Sequence, residues 1–146
     1  MRCSVNGVSV EGPLGEEEVA DVWPKAEPML SAALETDGVL TTNDLFAQMS
    51  DGLWGLYIVK DDETGEVLGA VCCEVQQWPL GDVFNIAHCG GHSLHRWAGL
   101  LGALESEAVR LGCETVRIEG RKGWGAIYPD YREVKRVFER RVVVTK

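Results

Sequence analysis

The side chains best suited to chemistry crowd between residues 88 and 95. His88, Cys89, His92 and His95 fall within eight positions and include all three histidines of the chain. Cys89 and His92 have x-x spacing, and His92 and His95 are one helical turn apart, a spacing that suits zinc ligands. A turn between strand and helix points such side chains in different directions, and the sequence has no second ligand cluster, so no metal is expected. The run Cys89-Gly90-Gly91-His92-Ser93-Leu94 has a second reading, as a glycine-containing loop that opens a helix. Free main-chain N–H groups and the helix dipole meet at such a point and suit an anion. The plainer reading is a turn by which the chain leaves a strand and enters a helix. Glu74 stands in the otherwise apolar run EVLGAVCCEVQQ, where burial would raise a carboxyl toward the proton affinity of a general base. Its plainer reading is a solvated edge position. His88 is a second candidate base. Cys72 and Cys73 are adjacent in a strand and point to opposite faces, so they suggest neither a disulfide nor a metal site.

A loop with these properties needs a strand before it and a helix after it. Residues 83–88, VFNIAH, read as the strand. Leu94, Trp97, Leu101, Leu104, Ala108 and Leu111 step by three and four, one face of a long helix that Gly112 stops. Residues 115–118 form the next strand. Strand, loop, helix, strand is a right-handed crossover and makes a parallel pair. Upstream, residues 53–60 and 66–77 read as strands joined by the hairpin loop Asp61-Asp62-Glu63-Thr64-Gly65. A turn at residues 78–82 leads to the third strand of an antiparallel meander.

Two helices precede the meander. Glu16-Glu17-Glu18 opens the first, since carboxylates suit the positive end of a helix. Val19, Val22, Trp23, Ala26, Met29, Leu30, Ala33 and Leu34 form its apolar face. Pro24 and Pro28 predict a kink or two short helices, because each removes a donor, and Asp37-Gly38 ends the segment. Thr41-Thr42-Asn43-Asp44 caps a second helix that carries Leu45, Phe46 and Met49 and stops at Asp51-Gly52. Residues 1–10 alternate weakly and predict one short edge strand, broken by Gly12-Pro13. After Gly120 comes the basic aromatic stretch RKGWGAIYPDY, and residues 133–145 predict a final strand.

The chain has 146 residues, 45% hydrophobic and 25% charged. That fits one globular domain over 1–146 and excludes disordered and low-complexity classes. No apolar run approaches the roughly 18 residues of a membrane span. The first residues lack the apolar core of a signal peptide, and five cysteines without one read as reduced thiols in a cytoplasm. The net charge is −9. Residues 1–95 hold 3 Lys/Arg and 16 Asp/Glu, a net of −13, and residues 96–146 hold 11 and 7, a net of +4. The acidic front argues against nucleic acid. The basic back calls for an anionic ligand or an acidic protein surface, unless the two halves pair with each other. Arg121, Lys122, Arg132, Lys135, Arg136, Arg140 and Arg141 carry this basic character, for which a protein contact, with self or with another protein, is expected.

In chain order these elements describe an α+β fold: an antiparallel meander, a parallel crossover pair and packed helices in one mixed sheet. The chain also carries Trp23-Pro24-Lys25-Ala26-Glu27-Pro28-Met29-Leu30. It carries Gly112-Cys113-Glu114-Thr115-Val116-Arg117-Ile118-Glu119-Gly120-Arg121-Lys122-Gly123-Trp124 and, further on, Pro129-Asp130-Tyr131. Over roughly residues 16–144 the sequence resembles the GNAT superfamily of acyl-CoA N-acyltransferases, and most of all the GNAT-like proteins of tailed phages.

The resemblance implies acetyl-CoA, lying where the last meander strand and the parallel strand splay apart. Its pyrophosphate would rest on the main chain of Gly90, Gly91, His92, Ser93 and Leu94. The family loop is usually Arg/Gln-x-x-Gly-x-Gly/Ala; this chain has adjacent glycines and no Arg or Gln at that place. The resemblance further implies N-acetylation of an amine by direct attack on the thioester. Tyr128 or Tyr131 would be the acid, and Glu74 or His88 the base. A non-catalytic phage structural or virion-associated protein that keeps the fold for assembly or binding is the alternative. The location implied is the host cytoplasm or the virion, with no membrane.

Overall fold

The chain opens on a hairpin, where its weak alternation predicts a single edge strand. A computed structural model describes residues 1–37, 41–52, 54–119, 128–134, 138, 140 and 142. In it β1 (Arg2–Val5) pairs antiparallel with β2 (Val8–Glu11), Val5 opposite Val8. Asn6 and Gly7 between them have φ of 52° and 81°. Two successive left-handed residues make the turn whose twist matches that of paired strands, and Asn-Gly is its sequence signal.

Four more strands complete one six-stranded sheet in the order β1 to β6. They are β3 (Gly55–Asp61), β4 (Val67–Trp78), β5 (Gly81–Gly91) and β6 (Thr115–Ile118). Each pair is antiparallel except β5 with β6, the parallel pair that the crossover predicts. The sheet is sandwiched. One face carries Leu56, Ile58, Ala70 and Cys72 against α1 (Glu16–Asp37) and α2 (Thr42–Ser50). The other carries Tyr57, Val71, Phe84 and Ile86 against α3 (Leu94–Trp97), a 3-10 turn (Ala98–Leu100) and α4 (Leu101–Arg110).

α1 is one element of 22 residues with Pro24 and Pro28 inside it, where two short helices or a kink were expected. Both prolines sit on the exposed side, and Val19, Ala26, Leu30 and Leu34 are buried on the other. Each proline leaves a carbonyl one turn back without its donor. Those carbonyls belong to Ala20 and Pro24, which are exposed too. α2 begins at the capping box that the sequence shows, Thr41 and Asp44 bonding reciprocally.

The single long helix expected after the glycines is instead broken into α3, the 3-10 turn and α4. The residues expected to form the loop, Cys89-Gly90-Gly91, continue β5, so the turn shrinks to His92 and Ser93. The final strand expected over residues 133–145 lies largely outside the described residues. Glu133, Val134, Phe138, Arg140 and Val142 are described and belong to no strand.

Candidate active site

β5 outruns its parallel neighbour. Pairing with β6 starts at Val83 opposite Thr115 and ends at Ile86 opposite Ile118, closed by the Glu119 N–H donating to Ile86 O at 3.0 Å. β5 then continues through residues 87–91, paired to β4 alone. At the point of departure Ala87 is an extra residue: Cys73 faces Ile86 and Cys72 faces His88. Bulges of this kind re-aim side chains and are enriched beside active sites. The result is a cleft with an unpaired strand edge along residues 87–91, among the described residues.

One face of the cleft is polar. Asn85 is 1% exposed and lies opposite Glu74. Its Nδ2 donates to Glu74 Oε1 at 3.4 Å and to Glu119 Oε1 at 3.1 Å. Glu74 Oε1 also accepts from Gln76 Nε2 at 2.7 Å. His88, 8% exposed, stacks on Trp54 with centroids 5.5 Å apart. Trp54 packs against the core on the α1 side, which places this polar group on the helical-pair face of the sheet.

The opposite face is apolar. Ile86, Cys89, Trp97, Leu100, Ile118 and Tyr128 surround a cavity of about 30 Å³, room for about one water. Tyr128 donates from its hydroxyl to Ala98 O at 3.0 Å, and burial pushes it up to about 12. Tyr131 donates to Glu105 Oε2 on α4 at 2.9 Å; burial, then that carboxylate, pushes its hydroxyl up. Both phenols therefore keep their protons at neutral pH. Burial pushes the Cys89 thiol up to about 12, so it is no nucleophile there.

The helix entry is held by the β3–β4 hairpin. The His92 N–H donates to Leu68 O at 2.9 Å, and Trp97 Nε1 donates to His92 O at 2.9 Å. Arg96 pairs with Asp61 at 2.6 Å, which, with the Thr64 N–H, holds that carboxyl down at about 2. His92 Nε2 lies 3.6 Å from Glu66. Both glycines have packing reasons. A Cβ on Gly90 would sit 2.0 Å from Met29 O of α1, and one on Gly91 would sit 2.3 Å from Leu68 O. Ser93 adopts φ 57° and gives no side-chain cap, and α3 is only four residues long.

Of the residues singled out from sequence, the cleft gathers Glu74 and His88 on one face and Tyr128 on the other. Tyr131 is tied to α4. His92, Ser93 and Leu94 form the turn at the far end of β5. Sequence reading missed Asn85, Trp54 and Glu119. A polar Asn in the apolar run VFNIAH was a visible signal; Glu119 gave none, since its role depends on where β6 leaves β5. Among the described residues no three His, Cys, Asp or Glu are grouped to hold a metal ion, and no helix is long and apolar enough to cross a membrane. Asp61–Arg96 is, among the described residues, the Lys/Arg ion pair that joins the acidic front to the basic back. Arg132 and Arg140 are exposed; Arg121, Lys122, Lys135, Arg136 and Arg141 lie outside the described residues.

No protein-family model matches the chain, and no curated protein matches it. Solved structures do. An aminoglycoside acetyltransferase from an uncultured soil metagenomic sample is similar with a TM-score of 0.68 at 13% identity, over 94% of this chain and 98% of that one. A GNAT family acetyltransferase of Staphylococcus aureus gives 0.62 at 14%, over 93% and 99%. Glucosamine-6-phosphate N-acetyltransferase of Arabidopsis thaliana gives 0.61 at 11%, over 91% and 97%. At these identities the likeness is one of architecture: the chain has the mixed α+β fold of the GNAT acetyltransferases.

Proposed function

We propose that the chain is an acetyl-CoA-dependent N-acetyltransferase working in the cleft between β5 and β6. The observation that carries this reading is the strand edge at residues 87–91, left open among the described residues just past the Ala87 bulge, with proton-handling groups on both faces. Such an edge offers N–H and C=O groups to an extended amide-bearing arm, as a further strand would. Two of the similar structures are named for amine-bearing compounds, an aminoglycoside and glucosamine-6-phosphate.

Bound acetyl-CoA supplies an activated acetyl thioester. The residues of the chain then divide the proton work. His88 or Glu74, on the polar face, takes a proton from the attacking amine as the new N–C bond forms. Tyr128, on the apolar face, holds the proton that the leaving sulfur needs as the C–S bond breaks. The products are an N-acetyl amine and the free thiol. The turn at Gly90, Gly91, His92, Ser93 and Leu94 would take the pyrophosphate on its main chain. There the His92 N–H is already engaged by Leu68 O, and Asp61 and Glu66 stand beside it.

That same turn favours the second reading, a non-catalytic protein, phage-encoded and virion-associated, that keeps the fold for assembly. Close packing explains both glycines without a cofactor, and the exposed Arg132 and Arg140 suit an acidic protein surface. Titration with acetyl-CoA, followed by calorimetry, separates the two. Saturable binding together with release of free thiol on adding an amine supports the enzyme. No binding at millimolar acetyl-CoA supports the assembly protein.

A further inference from the structure

We propose that Gln76 and Trp78 are positioning residues for the Glu74 carboxylate, holding one of its oxygens so that the other is left to take a proton. The role of that second oxygen as base rests on the acyltransferase reading; the ladder of side chains that holds the first does not.

Glu74, Gln76 and Trp78 alternate along β4 and so share one face of the sheet, the face that carries Asn85. They are joined in sequence. Trp78 Nε1 donates to Gln76 Oε1 at 3.2 Å, and Gln76 Nε2 donates to Glu74 Oε1 at 2.7 Å. What each group can do fixes the direction. An indole N–H only donates, so Gln76 turns its carbonyl oxygen to Trp78. That leaves the Gln76 NH2 for Glu74, whose carboxylate only accepts. Reversing the amide would set N–H against N–H at one end and oxygen against oxygen at the other. Trp78 is 54% exposed and belongs to neither apolar cluster of the core, so burial does not account for its place.

The same Glu74 oxygen receives the Asn85 amide at 3.4 Å, the outer limit of a hydrogen bond. Gln76 is thus the closer hold. Both donors meet Oε1, and among the described residues nothing donates to Oε2. A carboxylate with one oxygen tied and one free has a set orientation and lone pairs left for a proton. In the transfer, Oε2 takes the proton from the amine nitrogen as the N–C bond forms. The C–S bond breaks, and the sulfur takes the proton that Tyr128 holds. His88, the other candidate base, stacks on Trp54; a response of turnover to Gln76 and Trp78 singles out Glu74. Four residues of strand, about 13 Å, separate Trp78 from Glu74, so a surface residue outside the cleft should change turnover.

The test combines kinetics with a ligand-free measurement on the full chain. The variants are Glu74→Gln, Gln76→Leu, Trp78→Phe and the last two combined, each checked for an unchanged thermal melt; Trp78 is exposed, so Trp78→Phe keeps the fold. Thiol release from acetyl-CoA is followed with sisomicin and with glucosamine-6-phosphate as amines. Glu74→Gln should lower kcat by about 10²–10⁴, Gln76→Leu by about tenfold and Trp78→Phe by about threefold, with KM for acetyl-CoA unchanged. In the combined variant Trp78→Phe should add nothing to Gln76→Leu, because it acts only through that residue. Wild-type kcat in both single variants, or a combined loss equal to the product of the two, overturns the positioning role and leaves the acyltransferase reading standing. Without ligand, NMR of the labelled chain reads the Gln76 side-chain NH2 and the Glu74 carboxyl carbon, and Trp78→Phe should move both. A Glu74 signal that stays in place overturns the ladder. No thiol release by the wild type removes the acyltransferase reading and the base role with it, and the NMR result then decides the ladder alone.

Discussion

β5 is two strands in one. Over residues 83–86 it has a neighbour on each side, and Phe84 and Ile86 drive into the core beneath α4. Over residues 87–91 it has one neighbour among the described residues, begins with a bulge, and ends in two glycines pressed against α1 and β4. On its apolar face the inner half carries Phe84 and Ile86, large side chains that need partners. The outer half is built so that backbone approaches backbone and one edge stays open. A single strand can therefore anchor the fold and present an open edge, provided the neighbouring strand stops halfway.

Four substitutions probe that division, in order of decreasing effect. Phe84→Ala, in the inner half, removes a ring that is 1% exposed and meets Tyr57 edge-on at 6.3 Å. Urea unfolding should show a loss of about 3–5 kcal/mol. Gly90→Ala, in the outer half, adds one methyl group 2.0 Å from Met29 O. Neither partner is a flexible side-chain tip, so the loss should reach about 3 kcal/mol, the upper end for overpacking. A loss below 1 kcal/mol would show that α1 yields easily and that Gly90 is not there for packing.

Tyr57→Phe tests the support under the inner half. Tyr57 donates to the buried carboxylate of Glu107 at 3.1 Å. Burial raises the proton affinity of Glu107, but hydrogen bonds from Arg110 and Tyr57 outweigh it and hold the carboxyl below its usual range. A folded-state pKa below the unfolded value gives stability that is present above about pH 4.3 and lost as pH falls. Tyr57→Phe should cost about 1.5–3 kcal/mol at neutral pH. The difference from wild type should shrink as unfolding is repeated toward pH 3. A constant difference would remove the carboxylate from the account. Gly102→Ala is the smallest change. Gly102 lies in α4 with open space where a Cβ would go. Helix propensity alone predicts a gain of up to about 1 kcal/mol, seen as a small rise in melting temperature. The opposite signs at Gly90 and Gly102 would locate the constraint on β5.

The architecture was legible wherever periodicity and punctuation agree. The meander, the parallel pair and the capping box at Thr41 each follow from runs and stops that the sequence displays. It failed where tertiary contacts outvote local rules. Pro24 and Pro28 read as breakers because a sequence does not say which side of a helix meets water. Gly90 and Gly91 read as a loop because glycine signals both freedom and close approach, and here it is close approach within a strand. The Asn6-Gly7 hairpin carries its own turn signal, which the weak alternation of residues 1–10 masks. The candidate site was half legible. Glu74, His88 and Tyr128 stand out by type and place, but Asn85 joins Glu74 to Glu119 only through the pairing register of three strands.

On the proposed function, the outer half of β5 is the acetyl-CoA edge and the inner half is not. Amide chemical shifts of the labelled chain, followed by NMR during an acetyl-CoA titration, test it directly. Saturable shifts are expected at residues 87–91 while residues 81–86 stay in place. No shifts at millimolar acetyl-CoA, or shifts confined to other parts of the chain, would contradict it.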